Sequence, residues 1–126
     1  MEIKASISVG ELVDKITILE IKTKKIKDQN KLKNVKTELN ILNDYFEQIK
    51  NDELAKLKND LKNVNMKLWQ IEDDIRICEK NQNFDQNFIE LARSVYITND
   101  LRFDIKNSIN QLFSSEIKEV KSYESY

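Results

Sequence analysis

Between Phe88 and Leu112 the chain places Phe88, Leu91, Val95, Thr98, Arg102, Ile105, Ile109 and Leu112 at alternating steps of three and four residues. That spacing keeps one stripe of a helix turned toward its neighbours. Three earlier stretches repeat it. The first seam is Val9, Leu12, Ile16, Leu19, Thr23 and Ile26, broadened by Val13, Ile18 and Ile21. The second is Leu32, Val35, Leu39, Leu42, Phe46 and Ile49, and the third Leu54, Leu57, Leu61, Val64, Leu68, Ile71, Ile75 and Cys78. With no proline and one glycine, Gly10, in 126 residues, nothing interrupts these runs. The pattern predicts an all-α fold, an antiparallel helical bundle of four helices forming a single domain over residues 1–126.

Boundary residues agree with that division. Ser8-Val9-Gly10-Glu11 reads as a capping box, starting the first helix at Val9 and carrying it to about Lys27. Asn30 is the expected cap of the second helix, Asn51 and Asp52 of the third, and Asp85 of the fourth. Ile3, Ala5 and Ile7 alternate with polar residues, predicting a short extended N-terminal segment. The tail EIKEVKSYESY is either a short extended C-terminal segment beside Ile3 to Ile7 or loosely ordered. At about 1.5 Å per residue, helices three and four reach roughly 40 Å and helices one and two roughly 27 Å. The protruding helix 3/helix 4 hairpin then carries Ile71, Ile75, Ile77, Cys78, Phe84, Phe88, Ile89 and Leu91 past the shorter pair. Covering that surface with a second copy gives a homodimer through the hairpin; the alternative is that the helices splay and one chain covers itself.

Composition narrows the function. Net charge is −1, from 21 basic and 22 acidic residues, so no long-range field draws in nucleic acid or an acidic membrane surface. The one lysine-rich run, KTKKIKDQNKLKNVK, lacks interleaved aromatics and reads as a solvated face. No apolar stretch approaches the roughly 20 residues of a membrane span, and MEIKASIS lacks a secretory apolar region, so the expected location is the cytoplasm. Cys78 has no cysteine to pair with and falls on a seam, which suits a buried thiol in a reducing compartment. Histidine is absent and there is no glycine-rich phosphate loop. Glu72, Asp73 and Asp74 are adjacent, pointing about 100° apart on a helix, so they do not converge on one ion. No metal or cofactor is expected, and no residue is an evident catalyst.

What stands out is the interruption of the fourth seam by Thr98 and Arg102, where an unpaired charge is expensive. Counting across the last hairpin sets Arg102 opposite Val64 and Arg93 opposite Asp73. Carrying the count through the two earlier turns brings in Glu20 as counter-charge, with Thr23, Asn65, Thr98 and Asn99 around it. One reading is an internal ion pair that fixes helix register. The other is a polar cavity in which Arg102 offers a planar fork to a small anionic ligand or a partner. A second polar set follows, Trp69, Glu72, Asp73 and Arg76 on helix three and Arg93, Tyr96, Asn99 and Asp100 on helix four. Cross-hairpin pairs of Glu72 or Asp73 with Arg93, and of Arg76 with Glu90, are expected. The candidate ligand-binding residues are Glu20, Lys22, Glu72, Asp73, Arg76, Arg93, Tyr96, Asn99 and Arg102.

The stretches VGELVDKITILEIK, LWQIEDDIR, FIELARSVYITNDLR and SSEIKEVKSY together resemble a small bacterial family catalogued as a domain of unknown function. The four ordered blocks span nearly the whole chain, and Glu124 to Tyr126 extend past the ending usual in that family. The resemblance implies no assigned activity, only an association with proteins of cell-surface sugar assembly. Two functions therefore remain open: a helical binding module, and a small metal-independent enzyme using Glu20, Arg93 and Arg102 on an anionic, sugar-related substrate in a bundle pocket.

Overall fold

Ser8 starts the first helix, its side-chain oxygen accepting from the Glu11 amide at 3.1 Å, and α1 runs Val9–Lys25. The computed structural model describes residues 1–114 and 119–126. Lys22, Lys24 and Lys25 fill the last turn of α1, where positive charge meets the negative end of the helix dipole. Asp28, two residues ahead of the expected Asn30, caps α2 (Gln29–Ile49) by accepting from the Asn30 and Lys31 amides. Its carboxylate also suits the positive end of the dipole, which the neutral Asn30 does not. Asn51 caps α3 (Asp52–Lys80) and Asp85 caps α4 (Gln86–Leu112), both as expected. Between α3 and α4 the chain turns through Gln82 at φ 51°, and the Asn83 amide bonds back to the Cys78 carbonyl at 2.9 Å. This left-handed closure is one that glycine usually supplies.

The fold is the expected all-α bundle of four helices, organised around α1. That helix packs against α2, α3 and α4, whereas the α2 backbone comes close to α1 alone and α2 meets α3 through the Phe46 side chain, which lies under Lys58. The core joins Leu12, Val13 and Ile16 of α1 to Phe46, Leu54, Leu61 and Ile109, with Leu39, Leu42, Ile49, Leu57, Ile105 and Leu112 packed around them. Each fully buried aliphatic side chain contributes about 2 kcal/mol. Because it is central, α1 is buried on most of its circumference, through Leu12, Val13, Asp14, Ile16, Thr17, Leu19 and Ile21.

At 29 and 27 residues against 17 and 21, α3 and α4 outreach the other two helices. Where α1 stops, apolar cover thins. Ile77, Phe84 and Ile89 are exposed, and Ile75, Phe88 and Leu91 are half-buried. Ile71 and Cys78 are buried within the hairpin itself, so the uncovered surface is smaller than the sequence suggests. Residues 1–7 carry no regular structure. Of the two alternatives for the tail, a place beside Ile3 to Ile7 is not seen among the described residues. The tail lies on α4, with the Tyr126 hydroxyl donating to Asp100 at 2.5 Å, its ring edge-on to Tyr96 at 5.4 Å, and Glu119 reaching Lys106 at 3.4 Å. Residues 115–118, which include the first three of the predicted C-terminal segment, lie outside the described residues. No described helix is long and apolar enough to cross a membrane.

Candidate functional site

Arg102 does face inward, but its partner is Asp14. Gly10, Asp14, Thr17 and Ile21 recur at steps of four, three and four along α1, a stripe turned toward α3 and α4. The Asp14 carboxylate is 1% exposed. One oxygen accepts from Arg102 Nε at 2.9 Å and Asn65 Nδ2 at 2.9 Å, and the other accepts a short hydrogen bond from Arg102 Nη2. This is a two-pronged guanidinium–carboxylate fork, the strongest geometry such a pair has. Asn65 Nδ2 also reaches Thr17 Oγ1 at 2.9 Å, and Thr17 in turn donates to the Asp14 carbonyl at 2.8 Å. Burial pushes the Asp14 carboxyl up, but the Arg102 and Asn65 hydrogen bonds and the charges of Arg102 and Lys106 outweigh it, leaving Asp14 below the usual carboxylate range. The hydrogen bond to Asp14 holds Arg102 even more firmly protonated than usual.

A second cation completes the layer. The buried Lys106 ammonium sits 2.9 Å from Glu11, 3.4 Å from Glu119 and 3.8 Å from Asp14. The Glu11 carboxylate thus serves Lys106 and leaves only half of the expected capping box in place. Just above, the Gly10 amide donates to Asn110 Oδ1 at 2.7 Å. A Cβ at Gly10 would stand 2.6 Å from the Lys106 carbonyl oxygen, so the glycine is there to let α1 approach α4.

Glu20, the expected counter-charge, instead binds Lys58 at 3.1 Å and Lys62 at 3.4 Å. The register count failed because it was carried through two turns and gave a height without a side: Glu20 turns to Lys58 and Lys62 of α3, and the position that meets Arg102 is Asp14. The expected cross-hairpin pairs are also not made among the described residues. Arg76 pairs with Glu72 on its own helix at 3.5 Å, and Arg93 stands exposed. At about 100° per residue, equal height on two helices does not put side chains on facing sides.

Five of the nine candidates do converge. Glu72, Asp73, Arg76, Asn99 and Arg102 line one open groove of about 510 Å³, with Asn65, Ile18, Ile21, Leu68 and Trp69. It lies where the last inward residues of α1 meet the longer hairpin. Arg102 is 30% exposed and, among the described residues, Nη1 has no protein acceptor. Beside it the buried Thr98 hydroxyl has no hydrogen-bond partner among the described residues. Lys22, Arg93, Tyr96 and Glu20 lie outside the lining, and Tyr96 packs against the tail. The constellation of Glu20, Arg93 and Arg102 required by the enzyme reading is not brought together. Sequence reasoning missed Asp14, Glu11, Lys106 and Asn110. The only signal for Asp14 was its place on a stripe with Gly10 and Thr17.

Fold and groove define a small all-α protein built around a buried ion-pair layer that opens on one side. The chain belongs to a family of unknown function, DUF6165, whose model matches residues 3–126. The match runs to Tyr126, so the last three residues lie within the family and do not extend past it. No curated protein and no solved structure matches the chain.

Proposed function

We propose that the protein is a helical binding module whose groove takes a small ligand carrying one anionic group, a carboxylate or phosphate, on an otherwise apolar or hydroxylated body. The observation that carries this is the placement of Arg102. Two of its nitrogens are committed to a buried carboxylate, which fixes the guanidinium plane, while the side chain stays 30% exposed and lines the groove. Preorganised donors of that kind bind an anion without the cost of ordering a free side chain. Trp69, Leu68, Ile18 and Ile21 offer an apolar wall, and Asn99, Glu72 and Asp73 offer polar groups for hydroxyls or amines. A single buried free thiol, Cys78, suits a reducing cytoplasm as the place of action.

Trp69 is the only tryptophan and lines the groove, so its fluorescence reports binding directly. Titration with inorganic phosphate, dicarboxylates and sugar phosphates, paired with thermal-shift measurements, tests the reading. A true ligand gives a saturable change, adds about 2.7 kcal/mol of stability at a hundred times its Kd, and loses affinity on Arg102→Lys, which keeps the charge but not the fork. A response identical in Arg102→Lys, or none from any anion, contradicts it.

A further inference from the structure

The groove between α3 and α4 that α1 occupies continues beyond the end of α1, and its lining changes character there. In the covered half Leu54, Leu61 and Ile109 are 0% exposed, with Leu57 and Ile105 half-buried; beyond it Ile71 and Cys78 are buried but Ile75, Phe88, Leu91 and Val95 are only half-buried, and no seam residue there reaches 0%. The uncovered half carries two matched stripes. On α3, Trp69, Asp73, Arg76 and Lys80 recur at steps of four, three and four; on α4, Phe88, Ala92, Val95 and Asn99 do the same. Trp69, Asp73, Arg76 and Asn99 line the groove itself, which places both stripes on the side facing α1. Asp73 has no ion-pair partner among the described residues, and Arg76 only the neighbouring Glu72.

From this we infer that a second copy of the chain covers the uncovered half, the two hairpins lying face to face and antiparallel about a two-fold axis. The charge order of α3 carries the inference, because it is complementary to its own reverse. Leu68 with Asn99, and Cys78 with Asn87, line common pockets, so α3 and α4 meet at matched heights. An axis crossing at Asp74 and Ile75 on α3 is therefore at Leu91 and Ala92 on α4. It sets Asp73 against Arg76 of the second copy, and Arg76 against its Asp73. The same operation puts Trp69 opposite Lys80, a cation over an aromatic face, and Phe88 opposite Val95. The exposed Phe84 of each hairpin tip then stands over Asn99 of the other copy, closing the outer end of the groove while Arg102 remains inside. Two-fold symmetry makes every contact twice. The dimer does not depend on the ligand reading, although it would complete the wall of that pocket.

Light scattering on the full chain at micromolar concentration is the test, and the expected mass is twice 14.9 kDa. Asp73→Arg and Arg76→Asp each turn two attractive contacts into two repulsive ones, raising the dissociation constant at least ~10-fold. Each variant alone is expected to run as a monomer of native helical content, and an equimolar mixture is expected to recover the dimer, because the two charge patterns are complementary to each other. A monomeric wild type overturns the inference, and so do single variants that stay dimeric or a mixture that stays monomeric. Arg102→Lys leaves this mass unchanged while weakening anion binding, so failure of the dimer and failure of the ligand reading are separately visible.

Discussion

Replacing Arg102 by Met leaves Asp14 with the Asn65 amide and a distant Lys106, in a site only 1% exposed. Water cannot reach that carboxylate, so the loss approaches the ~3–5 kcal/mol typical of a broken buried pair. Asp14→Asn is the milder change although it removes the same attraction. Arg102 is 30% exposed and can turn into the groove, and Lys106 keeps Glu11 and Glu119. Its cost is about 2 kcal/mol. The double variant Asp14→Leu with Arg102→Met removes both charges at once, and Asn65 still has the Thr17 hydroxyl. It is expected to come within ~1 kcal/mol of the wild type, a strongly non-additive result. Urea unfolding followed by helical circular dichroism, with m-values unchanged across the series, measures all three. If Asp14→Asn costs more than Arg102→Met, or the double variant costs the sum of the singles, the assignment of a desolvated carboxylate held by a half-exposed guanidinium is wrong.

Other outcomes follow from the same geometry. Gly10→Ala forces a methyl against the Lys106 carbonyl oxygen 2.6 Å away and should cost about 1–3 kcal/mol by thermal or chemical unfolding. Asp14 has its folded pKa depressed, so its contribution is fully present above the unfolded value of about 3.9 and is lost as pH falls through the lower folded value. The stability gap between wild type and Asp14→Asn should therefore close in acid, seen by unfolding at successive pH values. Glu20→Gln, which touches only the partly exposed Lys58 and Lys62, should cost ~0–1 kcal/mol in the same assay.

The helices were legible because their cause is local. Steps of three and four with no proline define the seams, and the caps Ser8, Asn51 and Asp85 are read from single residues and their neighbours. Arg102 and Thr98 were visible as a break in a seam, and Glu72, Asp73, Arg76 and Asn99 fell into the groove because they lie on stripes next to it. Asp14 was hidden by the assumption that α1 has one buried face. A helix surrounded by three others buries a second stripe, and nothing within its own sequence says how many neighbours it will have. Glu20 was misassigned for a related reason, since a height counted through successive turns does not say which neighbour a side chain meets, and Glu20 meets Lys58 and Lys62. Gly10 entered the sequence reading only as a member of the Ser8–Glu11 cap and as the lone glycine that rules out a phosphate loop. Its role is close approach, which exists only once α4 is in place.

Everything proposed for the groove rests on a buried carboxylate, Asp14, holding Arg102 in its lining. The side-chain Nε–H resonance of Arg102 tests it most directly by NMR, with the exposed Arg93 as an internal control. The expected result is a slowly exchanging Arg102 proton, shifted by its hydrogen bond to Asp14 and collapsing to the Arg93 behaviour in Asp14→Asn. An Arg102 proton that exchanges as fast as that of Arg93 in the wild-type protein would contradict it.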